Sequence, residues 1–198
     1  AVNAVAFDIS AACAGFIFAM NIVEGFFKAG IYKTALIIGA ETLSKVTDWN
    51  DRGTCVLFGD GAGAAVLKAE ETGIIDMMGA DGTKGDVLAC TSRTVGNFLT
   101  GTKPELGFMT MDGQEVFKFA VRKVPESVME LLQRTGTKKE DIKYYVLHQA
   151  NERIIEAAAR RLKEPMEKFP MTIGQFGNTS TASIPLLLDD MIQKDMLK

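Results

Sequence analysis

The most constraining feature of the sequence is the alternation of short and long apolar segments in its first forty residues. Ala4 to Ile9 is an apolar run of strand length, and Ala14 to Lys28 has the length and apolar spacing of a helix that ends at Gly30. Thr34 to Gly39 again has the pattern of a buried strand. This order predicts a strand–helix–strand unit, which is typical of a parallel sheet covered by helices, and therefore an α/β protein.

The rest of the chain continues this mixture of helix and strand. Val56 to Lys68 carries glycines at 59, 61 and 63 between apolar residues, which indicates a strand pair with a tight bend or close packing against a helix. Gly82 to Pro104 is irregular and polar, which predicts a surface segment. The other predicted elements are strands at Ile74 to Met78, Tyr144 to Leu147 and Phe169 to Ile173, and helices at Gln114 to Gln133 (broken or kinked near Pro125), Glu152 to Lys163 and Ile184 to Met191.

Two distant segments share one pattern. Phe7 to Phe18 and Tyr144 to Ile155 each run from a predicted strand through a polar turn into a helix. A duplicated α/β architecture could bring both turns to one edge of the sheet, where such folds usually bind ligands.

Composition excludes several classes of function. The 198 residues carry a net charge of −3, whereas a general nucleic-acid-binding protein is usually strongly basic. Asn21, Glu24 and Asp60 interrupt the apolar stretches before they reach the length of a membrane span, so no membrane partner is expected. The three cysteines, at 13, 55 and 90, have neither metal-ligand nor disulfide spacing, which predicts no metal site and a cytoplasmic location.

Cys13 is the first candidate for chemistry. It lies in the small-residue segment Ser10 to Gly15 (SAACAG), between a predicted strand and the start of a helix. Free backbone N–H groups and the positive end of the helix dipole favour a thiolate there, and the small neighbours let a substrate approach the sulfur. The alternative is a buried cysteine acting as a small apolar residue, which is the interpretation we give to Cys55 and Cys90.

His148 and Asn178 are the other two candidates. His148 is the only histidine in the sequence and follows a predicted strand, where a neutral imidazole can donate to a carbonyl or accept a proton near neutral pH. Asn178 follows Gly177 in a polar turn, and its amide could stabilise an oxyanion without taking up a proton. The structural alternatives are a packed histidine and an asparagine in a left-handed turn.

Together these segments resemble one enzyme family, the β-ketoacyl-acyl-carrier-protein synthases III of the thiolase-like superfamily. Asp8 to Phe16 (DISAACAGF) resembles the family's nucleophile segment, His148 to Asn151 (HQAN) its histidine segment, and Gly177 to Ser183 (GNTSTAS) its asparagine segment. Asp51 to Gly53 and Phe58 to Ala64 also fit, in the family's order. The resemblance covers essentially the whole chain.

The resemblance implies a thiolase-like layered α-β-α-β-α fold with duplicated halves, residues 1–80 and 111–198, joined by residues 81–110. Family members have further sequence at both ends, and Ala1 begins this chain inside an apolar run without an initiator Met. We therefore expect the fold to be incomplete at both ends. Exposed sheet edges and apolar surface would then make the chain poorly soluble by itself.

The resemblance also implies a reaction. Thiolases use a second cysteine, elongating synthases a second histidine and hydroxymethylglutaryl-CoA synthases a glutamate, whereas Cys13, His148 and Asn178 imply a decarboxylating condensation in the initiation of fatty-acid synthesis. Cys13 would take an acyl group from acyl-CoA, and the other two would stabilise the enolate formed from malonyl-acyl carrier protein. The partners would be these two substrates and a second copy in a homodimer, without a separate cofactor.

Further positions match the family by resemblance alone. Those implied to contact CoA or its pantetheine arm are Arg52, Gly53, Met111, Phe117, Ala150 and Asn151. Those implied to dock the carrier protein are Gln149, Arg153, Lys118, Arg160 and Arg161, of which the last two follow Arg153 by seven and eight residues on one helical face. The alternative is an ordinary core and a solvated charged face.

The sequence is also compatible with two other functions. A cysteine-dependent thioester hydrolase or acyltransferase also uses Cys, His and Asn, and would need His148 to touch Cys13. A carrier-binding fragment without turnover would still bind the carrier protein after Cys13→Ala.

Overall fold

The computed structural model describes residues 3–71, 73–90, 95–104 and 107–197. Its helices and strands are α1 (Gly15–Lys28), β1 (Thr34–Glu41), β2 (Gly61–Lys68), β3 (Leu88–Cys90), β4 (Met109–Met111), α2 (Gly113–Thr135), α3 (Glu152–Leu162), α4 (Ile173–Phe176) and α5 (Ser183–Gln193). Short 3-10 turns lie at Ala12–Ala14, Leu43–Lys45, Gly82–Val87, Lys139–Asp141, Met166–Lys168 and Ser180–Ala182.

The main sheet is an antiparallel pair, β1 and β2, in register from Thr34 opposite Lys68 to Glu41 opposite Gly61. Side chains alternate between its two faces, as a pleated strand requires. On one face Ile37 packs with Phe16 of α1 and Ile184 of α5, and these three residues form a buried cluster. The opposite face carries exposed apolar side chains, Leu36, Ile38 and Val66.

Glycines let α5 and the turn before it approach the sheet closely. A Cβ on Gly63 of β2 would lie 3.0 Å from the backbone nitrogen of Leu186 and 3.0 Å from the Pro185 side chain. A Cβ on Gly39 of β1 would lie 2.8 Å from the carbonyl oxygen of Thr181. Of the two predictions for Val56 to Lys68, close helix packing is therefore confirmed, and the strand pair is wrong because the segment contains one strand.

A second buried cluster holds the C-terminal part together. Tyr145 stacks on Phe169 with ring centroids 4.8 Å apart, and both pack on Ile155 and Leu162 of α3. The backbone N–H of Tyr145 also donates to the carbonyl of Lys168 over 2.8 Å. These contacts fix the segment that leads into His148.

The predicted pairing of strands is wrong in part. Ala4 to Ile9, Ile74 to Met78, Tyr144 to Leu147 and Phe169 to Ile173 are not strands in the described structure, and β1 pairs antiparallel with β2 instead of lying in a parallel strand–helix–strand unit. An apolar run becomes a strand only when a neighbour completes its backbone hydrogen bonds, and the described residues supply no such ladder to these four segments.

The helices agree better with their predictions. The helices predicted from Ala14, Glu152 and Ile184 are α1, α3 and α5, and Pro185 lies in the first turn of α5 as expected. Of the break or kink expected near Pro125, the break is wrong, since α2 runs through it from Gly113 to Thr135, and the kink stays a prediction. Asp112 caps α2 by accepting from the N–H groups of Gln114 and Glu115.

The segment from Gly82 to Pro104 is only partly irregular. It includes a 3-10 turn and β3, which pairs antiparallel with β4 from Leu88 opposite Met111 to Cys90 opposite Met109, while residues 91–94 lie outside the described residues. The described part beyond them is exposed, as at Phe98 and Leu99. In the part of the chain that the structure describes, no helix combines the length and the apolar character needed to cross a membrane.

Candidate active site

The three predicted catalytic residues, far apart in sequence, are joined by one short turn, residues 180–183, which we call the hydroxyl turn. The Ser180 hydroxyl hydrogen-bonds the Cys13 thiol. The Ser180 backbone N–H donates to Asn178 Oδ1 over 3.0 Å, and His148 Nδ1 lies 2.6 Å from Ser183 Oγ. The turn therefore gathers the cysteine, the histidine and the asparagine at one place in the fold.

Cys13 is held in a strained turn at the start of α1. The preceding residue, Ala12, has a left-handed backbone with φ of 44°, which costs a residue with a side chain about 1–2 kcal/mol. The Thr181 hydroxyl donates to the Ala12 carbonyl over 2.6 Å, and a Cβ on Gly15 would lie 2.7 Å from the same hydroxyl oxygen. The hydroxyl turn thus clamps the cysteine turn, and Gly15 makes the close approach possible.

The electrostatics of Cys13 differ from the sequence expectation of a favoured thiolate. Burial raises the pKa of the thiol. The hydrogen bond from Ser180 opposes that rise, and the negative charge of Glu41 adds to it. Burial outweighs the favourable contacts because removing a thiolate from water costs more than one hydroxyl donor returns, so the resting form at neutral pH is the thiol.

His148 is half-buried and lies beside the N-terminus of α5. Its Nδ1 pairs with Ser183 Oγ, and its Nε2 is buried without a hydrogen-bond partner among the described residues. Burial lowers the pKa of the imidazole to about 4. His148 is therefore neutral at physiological pH and has one ring nitrogen available for a ligand.

Asn178 is fixed through both its backbone and its side chain. Its N–H donates to the Leu57 carbonyl, and its carbonyl accepts from the Gly59 N–H, at 2.9 and 3.0 Å. Because Oδ1 accepts from the Ser180 N–H, the Nδ2 donor is the part of the amide left to face a ligand. Positive φ angles in this segment belong to Gly177, at 67°, and Ser180, at 50°, and not to Asn178, so the structural alternative of a left-handed Asn178 is wrong.

The arrangement combines a nucleophile with two uncharged donors. The Asn178 amide can only donate through Nδ2, and the neutral His148 imidazole can donate or accept through Nε2. Neutral donors can stabilise negative charge that develops on an oxygen without being titrated by it. Such a site suits reactions that pass through an acyl-cysteine and an oxyanion.

Two models of one enzyme family match the sequence. The model for 3-oxoacyl-acyl-carrier-protein synthase III matches residues 7–82, and that for the C-terminal part of the same enzyme matches residues 132–198. The chain belongs to the synthase III family. Cys13 lies in the first matched region, and His148 and Asn178 lie in the second.

Relatives and solved structures support the same family assignment. β-Ketoacyl-acyl-carrier-protein synthase III of Clostridium novyi is 51% identical over 201 residues, which is 100% of this chain and 62% of that protein. The crystal structures of synthase III from Aquifex aeolicus and Pseudomonas aeruginosa superpose with TM-scores of 0.86 and 0.88 at 42% and 38% identity. The matches cover 99% and 98% of this chain and 60% of each of those two chains. The chain thus spans about three fifths of these proteins, and the predicted α/β, thiolase-like fold class is confirmed.

One open depression brings together two of the positions implied to bind CoA. Gly53 and Met111 line the same cavity, of about 650 Å³, with Asp86, Thr110 and residues 112–114. Its lining does not include Cys13, His148 or Asn178, so it is a separate surface feature in this structure. The role of Gly53 and Met111 in binding CoA stays a prediction from the resemblance.

The other positions implied to bind CoA are not among the residues that line this depression. Arg52 is exposed. Its neighbour Asp51 accepts hydrogen bonds from the Thr54 hydroxyl and the Gly53 N–H, which lower the pKa of the Asp51 carboxyl. Asn151 is the N-cap of α3 and accepts from the Arg153 N–H over 2.9 Å. Phe117 and Ala150 are half-buried.

The predicted carrier-docking residues separate into two groups. Arg153, Arg160 and Arg161 are exposed on α3, and Lys118 is exposed on α2, where it pairs with Glu115 at 2.7 Å. Gln149 is wrong as a docking residue. It is 1% exposed, and its amide donates to the Leu147 carbonyl and accepts from the Thr172 N–H, so it braces the segment around His148.

Sequence reasoning missed the residues that organise the site. Ser180, Thr181 and Ser183 lie inside the segment that carries Asn178, but only Asn178 was singled out there. Glu41, whose Oε1 accepts from the Thr181 N–H over 3.3 Å, was missed too. The run of hydroxyl residues after a glycine bend was the available signal, because such side chains commonly bond nearby backbone and polar groups.

Proposed function

We propose that the protein is the condensing enzyme that joins an acyl-CoA primer to malonyl-acyl carrier protein in the initiation of fatty-acid synthesis. The observation that carries the proposal is the hydroxyl turn, which brings a thiol, a neutral imidazole and a carboxamide donor to one place. The names of the relatives specify a β-ketoacyl-acyl-carrier-protein synthase, and the proposal extends that activity to this chain.

In the first half-reaction Cys13 takes the acyl group. Its sulfur attacks the thioester carbonyl of acyl-CoA, the bond between that carbon and the CoA sulfur breaks, and CoA leaves as the thiol with the proton of Cys13. The product is an acyl-Cys13 thioester. Since burial raises the pKa of Cys13, proton loss accompanies attack instead of preceding it at neutral pH.

In the second half-reaction His148 and Asn178 act together. The malonyl carbon–carboxylate bond breaks, carbon dioxide leaves, and the bond's electrons form an enolate whose oxygen is held by His148 Nε2–H and Asn178 Nδ2–H. The enolate carbon then attacks the acyl-Cys13 carbonyl, the Cys13 thiolate leaves, and a 3-ketoacyl carrier protein is formed. Each donor is worth about 3 kcal/mol in such a transition state.

The contacts favour condensation over a cysteine hydrolase. A hydrolase needs the imidazole to accept the proton of the nucleophilic thiol. Here the hydrogen-bond partner of Cys13 is Ser180, and that of His148 Nδ1 is Ser183. An imidazole with a pKa of about 4 is also a weak base at pH 7.

The substrates and partners follow from the proposed reaction. The acidic carrier protein would dock on the exposed arginines of α3, and acyl-CoA would use Arg52 and the surface that includes Gly53 and Met111. Chemistry by side chains alone needs no cofactor besides the CoA and phosphopantetheine of the substrates. A cytoplasmic homodimer completes the proposal, as the family resemblance implies.

Mass spectrometry tests the first half-reaction directly. The protein is incubated with acetyl-CoA and longer acyl-CoAs, and the Cys13 peptide is searched for the acyl mass increment, with Cys13→Ala as control. Labelling followed by formation of 3-ketoacyl carrier protein on addition of malonyl-acyl carrier protein supports the proposal. No labelling of the folded protein with any acyl-CoA would overturn it, and hydrolysis of the acyl group with no effect of malonyl carrier would favour the hydrolase.

A further inference from the structure

The hydroxyl of Ser183 stands between His148 and the backbone of the next residue. Ser183 is the first residue of α5 and is 2% exposed. Its Oγ lies 2.6 Å from His148 Nδ1 and accepts from the Gln149 N–H over 3.3 Å. The second contact constrains the first, because a hydroxyl has one proton and two lone pairs.

The Gln149 N–H must donate, so it occupies one lone pair of Ser183 Oγ. Among the described residues, His148 Nδ1 is the acceptor that the structure places within reach of the remaining Oγ–H. If Nδ1 carried the proton instead, Oγ would accept twice and its own proton would be buried without an acceptor, at a cost comparable to a lost hydrogen bond. The satisfied arrangement has Oγ–H donating to an unprotonated Nδ1.

A neutral imidazole has one ring proton, so an unprotonated Nδ1 puts that proton on Nε2. Nε2 is the nitrogen that is buried without a partner among the described residues. The Nε2–H group is thus a donor without an acceptor among the described residues, in the same site as the Nδ2 donor of Asn178. The other tautomer would present a lone pair there and would repel an oxyanion.

We propose that Ser183 is a positioning residue that holds His148 in the Nε2–H tautomer and so makes it a hydrogen-bond donor to the enolate oxygen. This inference deepens the proposed function and rests on it for its catalytic consequence, although the tautomer itself is a property of the protein without substrate. Gln149 contributes through its backbone N–H, which orients the hydroxyl toward the ring.

Nitrogen NMR of ¹⁵N-histidine-labelled protein measures the tautomer. The signals of His148 are identified by subtracting the spectrum of His148→Gln. At pH 7 we expect a pyrrole-type, protonated Nε2 and a pyridine-type, unprotonated Nδ1. Ser183→Ala shifts the ring toward the Nδ1–H form, whereas Ser183→Thr, which keeps the hydroxyl, retains the wild-type pattern.

Kinetics then connects the tautomer to the reaction. Ser183→Ala is expected to lower kcat for condensation by about 10- to 100-fold, with little change in KM for malonyl-acyl carrier protein. Losses of this size follow removal of the hydrogen-bond partners that orient metal-binding histidines. Formation of acyl-Cys13 stays at the wild-type rate. Thr179→Val is the matched control, since it removes a buried hydroxyl that has no partner in the described structure.

The outcomes separate the inference from the proposed function. A wild-type Nδ1–H tautomer, or an Nε2–H tautomer that is unchanged in Ser183→Ala, would overturn the inference whether or not the enzyme condenses. If Ser183→Ala does not fold, the wild-type spectrum and retention of its pattern in Ser183→Thr decide the question. A wild-type protein that forms no acyl-Cys13 would sink the proposed function and leave the tautomer assignment standing.

Discussion

The backbone N–H of Ser180 donates to Asn178 Oδ1 over 3.0 Å, and this bond turns the carboxamide so that its donor is the free end. The two polar atoms of the Asn178 side chain therefore have different roles. Oδ1 is structural, because it closes the turn, and Nδ2 is available to a substrate oxygen.

Asn178→Asp tests that separation. The variant keeps an acceptor for the Ser180 N–H but replaces the Nδ2 donor with a second carboxylate oxygen, which would repel the enolate. We expect kcat for condensation to fall by roughly 100- to 1,000-fold. Acyl-Cys13 formation, measured by mass spectrometry on the same samples, should persist and serves as the internal control. Equal loss of both steps would mean that the substitution disrupts the turn.

The thiol of Cys13 is expected to react faster as pH rises. Since burial holds its pKa above the ordinary value, the thiolate fraction and the rate of alkylation should rise about tenfold per pH unit from pH 7 to 9. Ser180→Ala removes the hydrogen bond that lowers this pKa and should slow alkylation at pH 8 several-fold. Glu41→Gln removes the charge that raises it and should accelerate alkylation, while keeping an oxygen for the Thr181 N–H.

Quantifying iodoacetamide adducts on the Cys13 peptide measures these rates without interference from the other cysteines. The two variants act in opposite directions, so a general loosening of the structure cannot mimic both. A change in the same direction in both variants would contradict the assigned causes of the shift.

Burial of neutral His148 should make stability depend on pH. The pKa is about 4 in the folded protein and 6.5 in the unfolded chain, so between these values the unfolded chain binds the extra proton. The contribution of His148 is complete above pH 6.5 and is lost as pH falls toward 4, by roughly 3 kcal/mol in total. Urea unfolding of wild type and His148→Gln at pH 7 and pH 4.5 isolates it. The wild type should lose more stability than the variant, and equal losses would refute the assignment.

The left-handed backbone of Ala12 should be relieved by glycine. Ala12→Gly removes a strain of about 1–2 kcal/mol, and the greater freedom of glycine in the unfolded chain offsets part of the gain, so the free energy of unfolding should rise by about 0.5–1 kcal/mol. Ala157→Gly, inside α3, is the matched control and should lower it by about 1 kcal/mol. Urea denaturation measures both. A loss in Ala12→Gly as large as that in the control would mean that the turn is not strained.

The exposed arginines of α3 should act on the carrier protein alone. Arg153 and Arg161 have no ion-pair partner among the described residues, whereas Arg160 lies 3.6 Å from Glu156. Arg153→Glu and Arg161→Glu are each expected to raise KM for malonyl-acyl carrier protein about tenfold at low salt, and less at high salt, by reversing the attraction to an acidic partner. KM for acyl-CoA should stay unchanged. Lys33→Glu makes the same change of charge outside α3. An equal rise in KM for malonyl-acyl carrier protein in that variant would indicate a general electrostatic effect instead of docking on α3.

Local patterns predicted the helices and the chemistry-bearing residues. Apolar spacing identified α1, α3 and α5, because the period of a helix is contained in its own sequence. The segments around Cys13, His148 and Asn178 were sufficient to indicate the family. The division into residues 1–80, 81–110 and 111–198 stays a prediction.

The sequence by itself therefore determined where α1, α3 and α5 lie, and it indicated the residues that we propose to react. Only the tertiary structure decided how strands pair, because a strand depends on hydrogen bonds from a distant neighbour. It also decided that Gln149 is internal, that burial raises the pKa of Cys13, and that Ser183 faces His148. Burial and hydrogen-bond partners come from packing between segments far apart in the chain, so the protonation of a site is a property of the folded molecule.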